Sequence, residues 1–124
     1  MNGKKIILIG LFSLLVLLSV AACSGSNSNK FPTGKFVNAN DSSKEVEYNA
    51  DNTWAYYMGG LMSAKGTYKI DDNLWIEQGT PECPFPGTYA WNYDGKNLTF
   101  KLSGEDNCAP RREATDGQTF VLSK

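Results

Sequence analysis

Apolar and polar positions follow two different rules along this chain. Over residues 6–20 the side chains are apolar, interrupted only by Gly10, Ser13 and Ser19. From Thr33 onward apolar and polar residues alternate in twos, and turn-forming residues punctuate the alternation. Alternation in twos marks a half-buried strand, because successive side chains leave opposite faces of the backbone. The pattern predicts eight strands, over 34–38, 44–48, 53–58, 64–70, 74–78, 88–93, 97–102 and 118–123. Phe36, Val46, Tyr48, Trp54, Tyr56 and Met58 open one apolar face, with Lys35, Glu45 and Glu47 on the other. Later in the chain Leu74, Ile76, Leu98, Phe100 and Phe120 extend the apolar face, and Lys65, Glu77 and Lys101 extend the polar one. No segment carries helical periodicity over the roughly ten positions that would identify a helix.

The connections set the topology. Asn49-Ala50-Asp51-Asn52, Asp71-Asp72-Asn73 and Asp94-Gly95-Lys96 are short and rich in turn formers. If successive strands are antiparallel neighbours, these three lie at one end. The longer connections, 39–43, 59–63, 79–87 and 103–117, lie at the other. An eight-stranded meander with one apolar face closes into an up-and-down barrel, which leaves no exposed edge. The predicted class is therefore all-β.

The leading apolar run is shorter than the roughly 20 residues of a membrane-spanning helix. It follows Lys4 and Lys5 and ends in small residues, as a cleaved export signal does. Its final residues, Val20-Ala21-Ala22-Cys23, resemble the lipobox of bacterial lipoproteins. That resemblance implies a signal peptide over 1–22 and a new N-terminus at Cys23 carrying acyl chains such as palmitate. The alternatives are an ordinary secretory signal cut nearby and an uncleaved anchor. The polar tract Ser24-Gly25-Ser26-Asn27-Ser28-Asn29-Lys30 has the composition of a flexible linker, so 23–32 forms a tether and 33–124 the folded domain. The expected place is the extracytoplasmic side of a cell envelope, and the outer membrane if the cell is Gram-negative, since Ser24 follows the cysteine.

Composition removes several function classes. With Lys4 and Lys5 set aside, ten basic residues face 13 acidic ones, a poor balance for nucleic acid. There is no histidine, which excludes the usual Ser-His and Cys-His nucleophiles and the commonest metal ligand. No phosphate loop, EF-hand spacing or nucleophile elbow occurs. The expectation is a protein without catalytic residues, metal or cofactor. Cys83 and Cys108 are the two cysteines left after Cys23. An even pair in an exported domain reads most simply as a disulfide. Both fall in long connections at the same end of the meander, so strand parity agrees with that pairing.

Gly34-Lys35-Phe36 resembles the Gly-x-Trp that opens lipocalins. Gly66-Thr67-Tyr68, Leu74-Trp75, Gly87-Thr88-Tyr89-Ala90-Trp91 and Asp106-Asn107-Cys108-Ala109-Pro110-Arg111 resemble small bacterial lipocalin-like domains. The chain departs from the larger members in its Phe36 and in its length. The resemblance implies the same barrel and leaves the function open, since one fold hosts many.

Three sets of residues are candidates for function. Trp54, Tyr56, Tyr68, Tyr89 and Trp91 either line a pocket or fill the barrel, whose interior is only just wide enough for side chains. Arg111, with Arg112, either clamps an anion or pairs with Asp106 to order its loop. Leu61, Met62 and Phe85 form, with Arg111, an apolar rim for a ligand or partner, or fold down as a plug. Two functions follow. One is binding of a small apolar or amphipathic ligand at the long-loop end. The other is a protein-interaction or inhibitor module with a filled core. A monomer is expected in either case, attached to the membrane through Cys23.

Overall fold

A computed structural model of the protein describes residues 30–123. The expected signal peptide, Cys23 and most of the expected tether lie outside the described residues. The elements are β1 (Gly34–Asn38), β2 (Asp41–Tyr48), β3 (Thr53–Met58), β4 (Leu61–Asp71), β5 (Leu74–Glu77), β6 (Gly87–Tyr93), β7 (Asn97–Leu102), α1 (Ala109–Thr115) and β8 (Thr119–Leu122). Each strand pairs antiparallel with the next, and β8 returns to β1 through Phe36↔Leu122 and Val37↔Val121. The result is a closed eight-stranded barrel, the expected all-β architecture, compatible with a lipocalin-like fold.

Two strands run further than the alternation indicated. β2 and β4 each begin three residues earlier than predicted, at Asp41 and Leu61. Asn38 therefore pairs with Asp41 and Met58 with Leu61 across two-residue turns. Gly59 and Gly60 have φ of 58° and 80°. This left-handed pair matches the twist of a hairpin, and a Cβ at either position would strain it. Two of the four connections expected to be long are thus tight hairpins. The long-loop end consists of 78–86 and the segment after β7 that holds α1.

α1 was not anticipated. Seven residues make two turns, too few to display a period, and none of them is buried. Pro110 sits where its missing N–H leaves no helical bond unmade. Cys108, immediately before the helix, is bonded to Cys83 with Cα atoms 5.8 Å apart. The expected disulfide is present, and it fixes the helix to the β5–β6 loop.

β5 faces opposite to expectation. Leu74 and Ile76 are half-buried on the outside, whereas Trp75 and Glu77 point inward at 4% and 0% exposure. Both phases of Leu-Trp-Ile-Glu offer an apolar residue, so hydrophobicity alone did not decide between them. A buried cation opposite Glu77 did.

The two barrel ends differ. Phe31 precedes β1, in the stretch expected to be tether, yet it is buried and plugs the end where the chain enters. Its ring meets Tyr48, Trp91 and Tyr68 at 5.0, 5.2 and 5.3 Å between centroids. At this end the Tyr68 hydroxyl donates to the Asn49 carbonyl at 3.1 Å. The opposite end is open on one side. β5 pairs with β4 only along Tyr68–Asp71, so the first half of β4, residues 61–66, has no ladder partner on that flank among the described residues.

Candidate functional site

The open side leads into a cavity of about 420 Å³. Val46, Tyr48, Trp54 and Tyr56 come from the inward faces of β2 and β3, and Trp75 and Glu77 from β5. Met58, Ser63 and Ala64 of the β3–β4 hairpin form one lip. Thr80, Glu82, Cys83, Pro110 and Glu113 form the other, so the disulfide-linked loops face the free edge of β4. The walls are mostly aromatic and aliphatic, which suits a small amphipathic molecule.

A buried charge cluster supports one wall. The Arg111 side chain is only 8% exposed. Its Nε donates to Asp106 Oδ2 at 2.7 Å and its Nη2 to Asp106 Oδ1 at 2.6 Å, a bidentate fork. Its Nη1 donates to Glu77 Oε2 and, at 2.9 Å, to the Phe85 carbonyl. Asp106 also accepts from the Tyr89 hydroxyl at 2.5 Å and the Cys108 N–H at 3.0 Å. Arg112 donates to the Asp106 carbonyl at 2.8 Å. Gly87 makes room for this arrangement: a Cβ there would stand 2.5 Å from Arg111 Nε and 2.7 Å from Asp106 Oδ2.

These groups titrate away from their ordinary values. Burial alone would raise the Asp106 carboxyl, but hydrogen bonds from Arg111, Tyr89 and Cys108 outweigh it and hold it at about 2. Glu77 goes the other way, because burial pushes it up by more than Arg111 and the Gly79 N–H pull it down. Burial, then the bond to Asp106, raises Tyr89, and its bond to Asp106 raises Arg111. Two carboxylates around one guanidinium leave the cluster with a net negative charge.

The five aromatics of the sequence analysis divide between the cavity wall and the packed interior. Trp54 and Tyr56 line the cavity, half-buried, whereas Tyr68, Tyr89 and Trp91 are buried outside its lining. Tyr48 and Trp75 complete the wall. Met58, Leu61, Met62 and Phe85 are exposed, Leu61 most of all at 76%. Arg111 lies below that rim, paired with Asp106 as one of its two readings held, and it also lies under the Phe85 ring, 5.7 Å from its centroid. Sequence reasoning missed Glu77 and Trp75 because it assigned β5 the wrong phase. The signal present was Arg111 itself, a cation in a buried motif that needed more than one carboxylate. Among the described residues no group of three or more Cys, Asp or Glu side chains converges to hold a metal ion. No protein-family model, curated protein or solved structure matches the chain.

Proposed function

We propose that this chain is a non-catalytic lipoprotein of the bacterial cell envelope whose lipocalin-like barrel binds a small apolar or amphipathic ligand in its open mouth. The observation that carries the reading is the cavity, about 420 Å³ with mostly apolar walls. Its volume lies within the roughly 300–1,000 Å³ usual for small-molecule sites. Arg111, Glu77 and Asp106 beside it are engaged with one another, which suits a supporting wall better than acid–base chemistry. Lysines, an apolar run and a lipobox-like Val20-Ala21-Ala22-Cys23 support export and acylation at Cys23. The chain enters the barrel at the end plugged by Phe31, so a tether on Cys23 leaves opposite the mouth. The mouth then faces away from the bilayer, on the extracytoplasmic side.

A protein-interaction surface is the second reading, favoured by exposed Met58, Leu61, Met62 and Phe85. Two variants separate the readings. Ala64→Phe places a ring in the cavity from a half-buried position on the lip. It should abolish uptake of the neutral probe N-phenylnaphthylamine while changing stability by about 1 kcal/mol or less. Leu61→Ser with Met62→Ser should leave uptake intact. Uptake that survives Ala64→Phe and disappears with the paired serines moves the function to the rim.

A further inference from the structure

The two lips of the mouth differ in charge. The lip built from the disulfide-linked loops carries Glu82 and Glu113, both exposed. Glu82 stands in a turn closed by reciprocal backbone bonds. The Thr80 N–H donates to the Cys83 carbonyl at 3.0 Å, and the Cys83 N–H to the Thr80 carbonyl at 3.1 Å. Glu113 stands on α1, which the Cys83–Cys108 bond ties to that turn. Neither carboxylate has an ion-pair partner among the described residues. The other lip has Lys44 on it, opposite Met58 in the β2–β3 ladder. Asp41 lies 3.7 Å from the Lys44 ammonium and offsets its charge. One lip is acidic and uncompensated, and the other is close to neutral.

Below the lips the cavity offers a charge nothing to pair with. Val46, Trp54, Tyr56 and Phe120 give it apolar and aromatic walls. Glu77 and Arg111 are the charged groups of the inner wall, and they are engaged with one another and, through Arg111, with Asp106. That cluster holds two carboxylates for one guanidinium, so it adds negative potential behind the wall. A charged head carried inside loses its hydration without gaining a partner. An alkyl tail carried inside gains burial. A chain-like amphiphile therefore enters tail first and leaves its head at the rim, within reach of water and of the acidic lip. The half-buried rings of Trp54 and Tyr56 act with the same sign, since an aromatic face attracts a cation.

We propose that the cavity takes a cationic amphiphile, its alkyl tail in the apolar interior and its ammonium at the rim beside Glu82 and Glu113, and that it discriminates against the carboxylate with the same tail. Two exposed acids alone are an ordinary solvated surface. Their place at the opening of an apolar cavity is what gives a cation with a tail two things to bind. An anion has no matching site, because Arg111 is only 8% exposed and already forked onto Asp106. The assignment rests on binding in the mouth, and the test separates the two claims.

The purified, disulfide-bonded protein is titrated calorimetrically at neutral pH with octylammonium, octanoate and octanol. Its Ala64→Phe variant and a Glu82→Gln, Glu113→Gln double variant are titrated alongside. Octylammonium should bind roughly tenfold more tightly than octanoate at low salt, the combined worth of two exposed charge contacts. The gap should shrink at about 1 M salt, where screening acts within roughly 3 Å. The double variant changes exposed side chains only, so it should stay folded, bind octanol unchanged and lose most of the gap. Octanoate binding as tightly as octylammonium would overturn the cationic assignment and leave the cavity a binding site. So would a gap that the double variant keeps in full. If none of the three binds, or if all bind Ala64→Phe as they bind the unaltered protein, the cavity itself is not the site.

Discussion

Arg111 holds two buried carboxylates, and removing it leaves both uncompensated. Arg111→Ala should therefore cost about 3–5 kcal/mol, the penalty for breaking a buried pair, measured by urea denaturation. Gly87→Ala should act through the same cluster, because its Cβ would stand 2.5 Å from Arg111 Nε and force the guanidinium aside, at about 1–3 kcal/mol. The carboxylates also predict how stability changes with pH. Asp106 is held at about 2 in the fold against an ordinary 3.8. Its contribution is complete above the ordinary value and is lost as pH falls from there to about 2, roughly 2 kcal/mol in all. Glu77 has the opposite sign. Its folded value lies above the ordinary 4.5, so the fold takes up that proton first. Stability contributed by Glu77 rises as pH falls through its raised value and levels off below 4.5. A stability maximum in mild acid, followed by a steep fall, is the expected profile. Glu77→Gln should remove the rise and keep the fall. A wild-type profile that only declines from neutral pH downward would contradict this account of Glu77.

At the scale of elements, strands with one clear polar face were legible in the sequence, and strands apolar on both faces were not. Lys35, Glu45 and Glu47 fixed the phase of β1 and β2, and both faced as expected. β5 offered Leu74 and Ile76 on one face and Trp75 with Glu77 on the other. The deciding partner, Arg111, is 34 residues away from Glu77 and invisible to local alternation. Hairpin ends were missed for a similar reason. Asp41-Ser42-Ser43 and Leu61-Met62-Ser63 break the alternation, and only the backbone pairing shows that the strands continue through them. α1 is too short for its period and is held from outside by the disulfide. Removing that bond with Cys83→Ala and Cys108→Ala frees a loop spanning 25 residues and should cost about 3.5 kcal/mol by loop-closure entropy. Neither cysteine belongs to a strand, so the far-ultraviolet circular dichroism should keep its β character while the denaturation midpoint falls. Loss of the β signal itself in the double variant would show that the bond shapes the barrel and does more than anchor its loops.

At the scale of the molecule, the barrel is closed at one end and open at the other. Phe31, Tyr48, Tyr68 and Trp91 pack the end where the chain enters, which leaves no room there for a ligand. At the far end β5 stops after four residues, the free edge of β4 stands apart from the disulfide-linked loops, and the gap between them is the mouth. The parity of the connections made the ends distinguishable from sequence, and it placed both cysteines together. Whether the interior was filled or hollow was not legible, because cavity size depends on how far β5 runs and where Trp75 points. The central claim is that the mouth holds a small molecule in the cell. Native mass spectrometry of the protein, purified under mild conditions from the cells that make it, tests this most directly. A reproducible added mass of a small amphiphile, released on denaturation and missing from Ala64→Phe, is the predicted result. A bare polypeptide mass in the unaltered protein, or an added mass that Ala64→Phe retains in full, would contradict it.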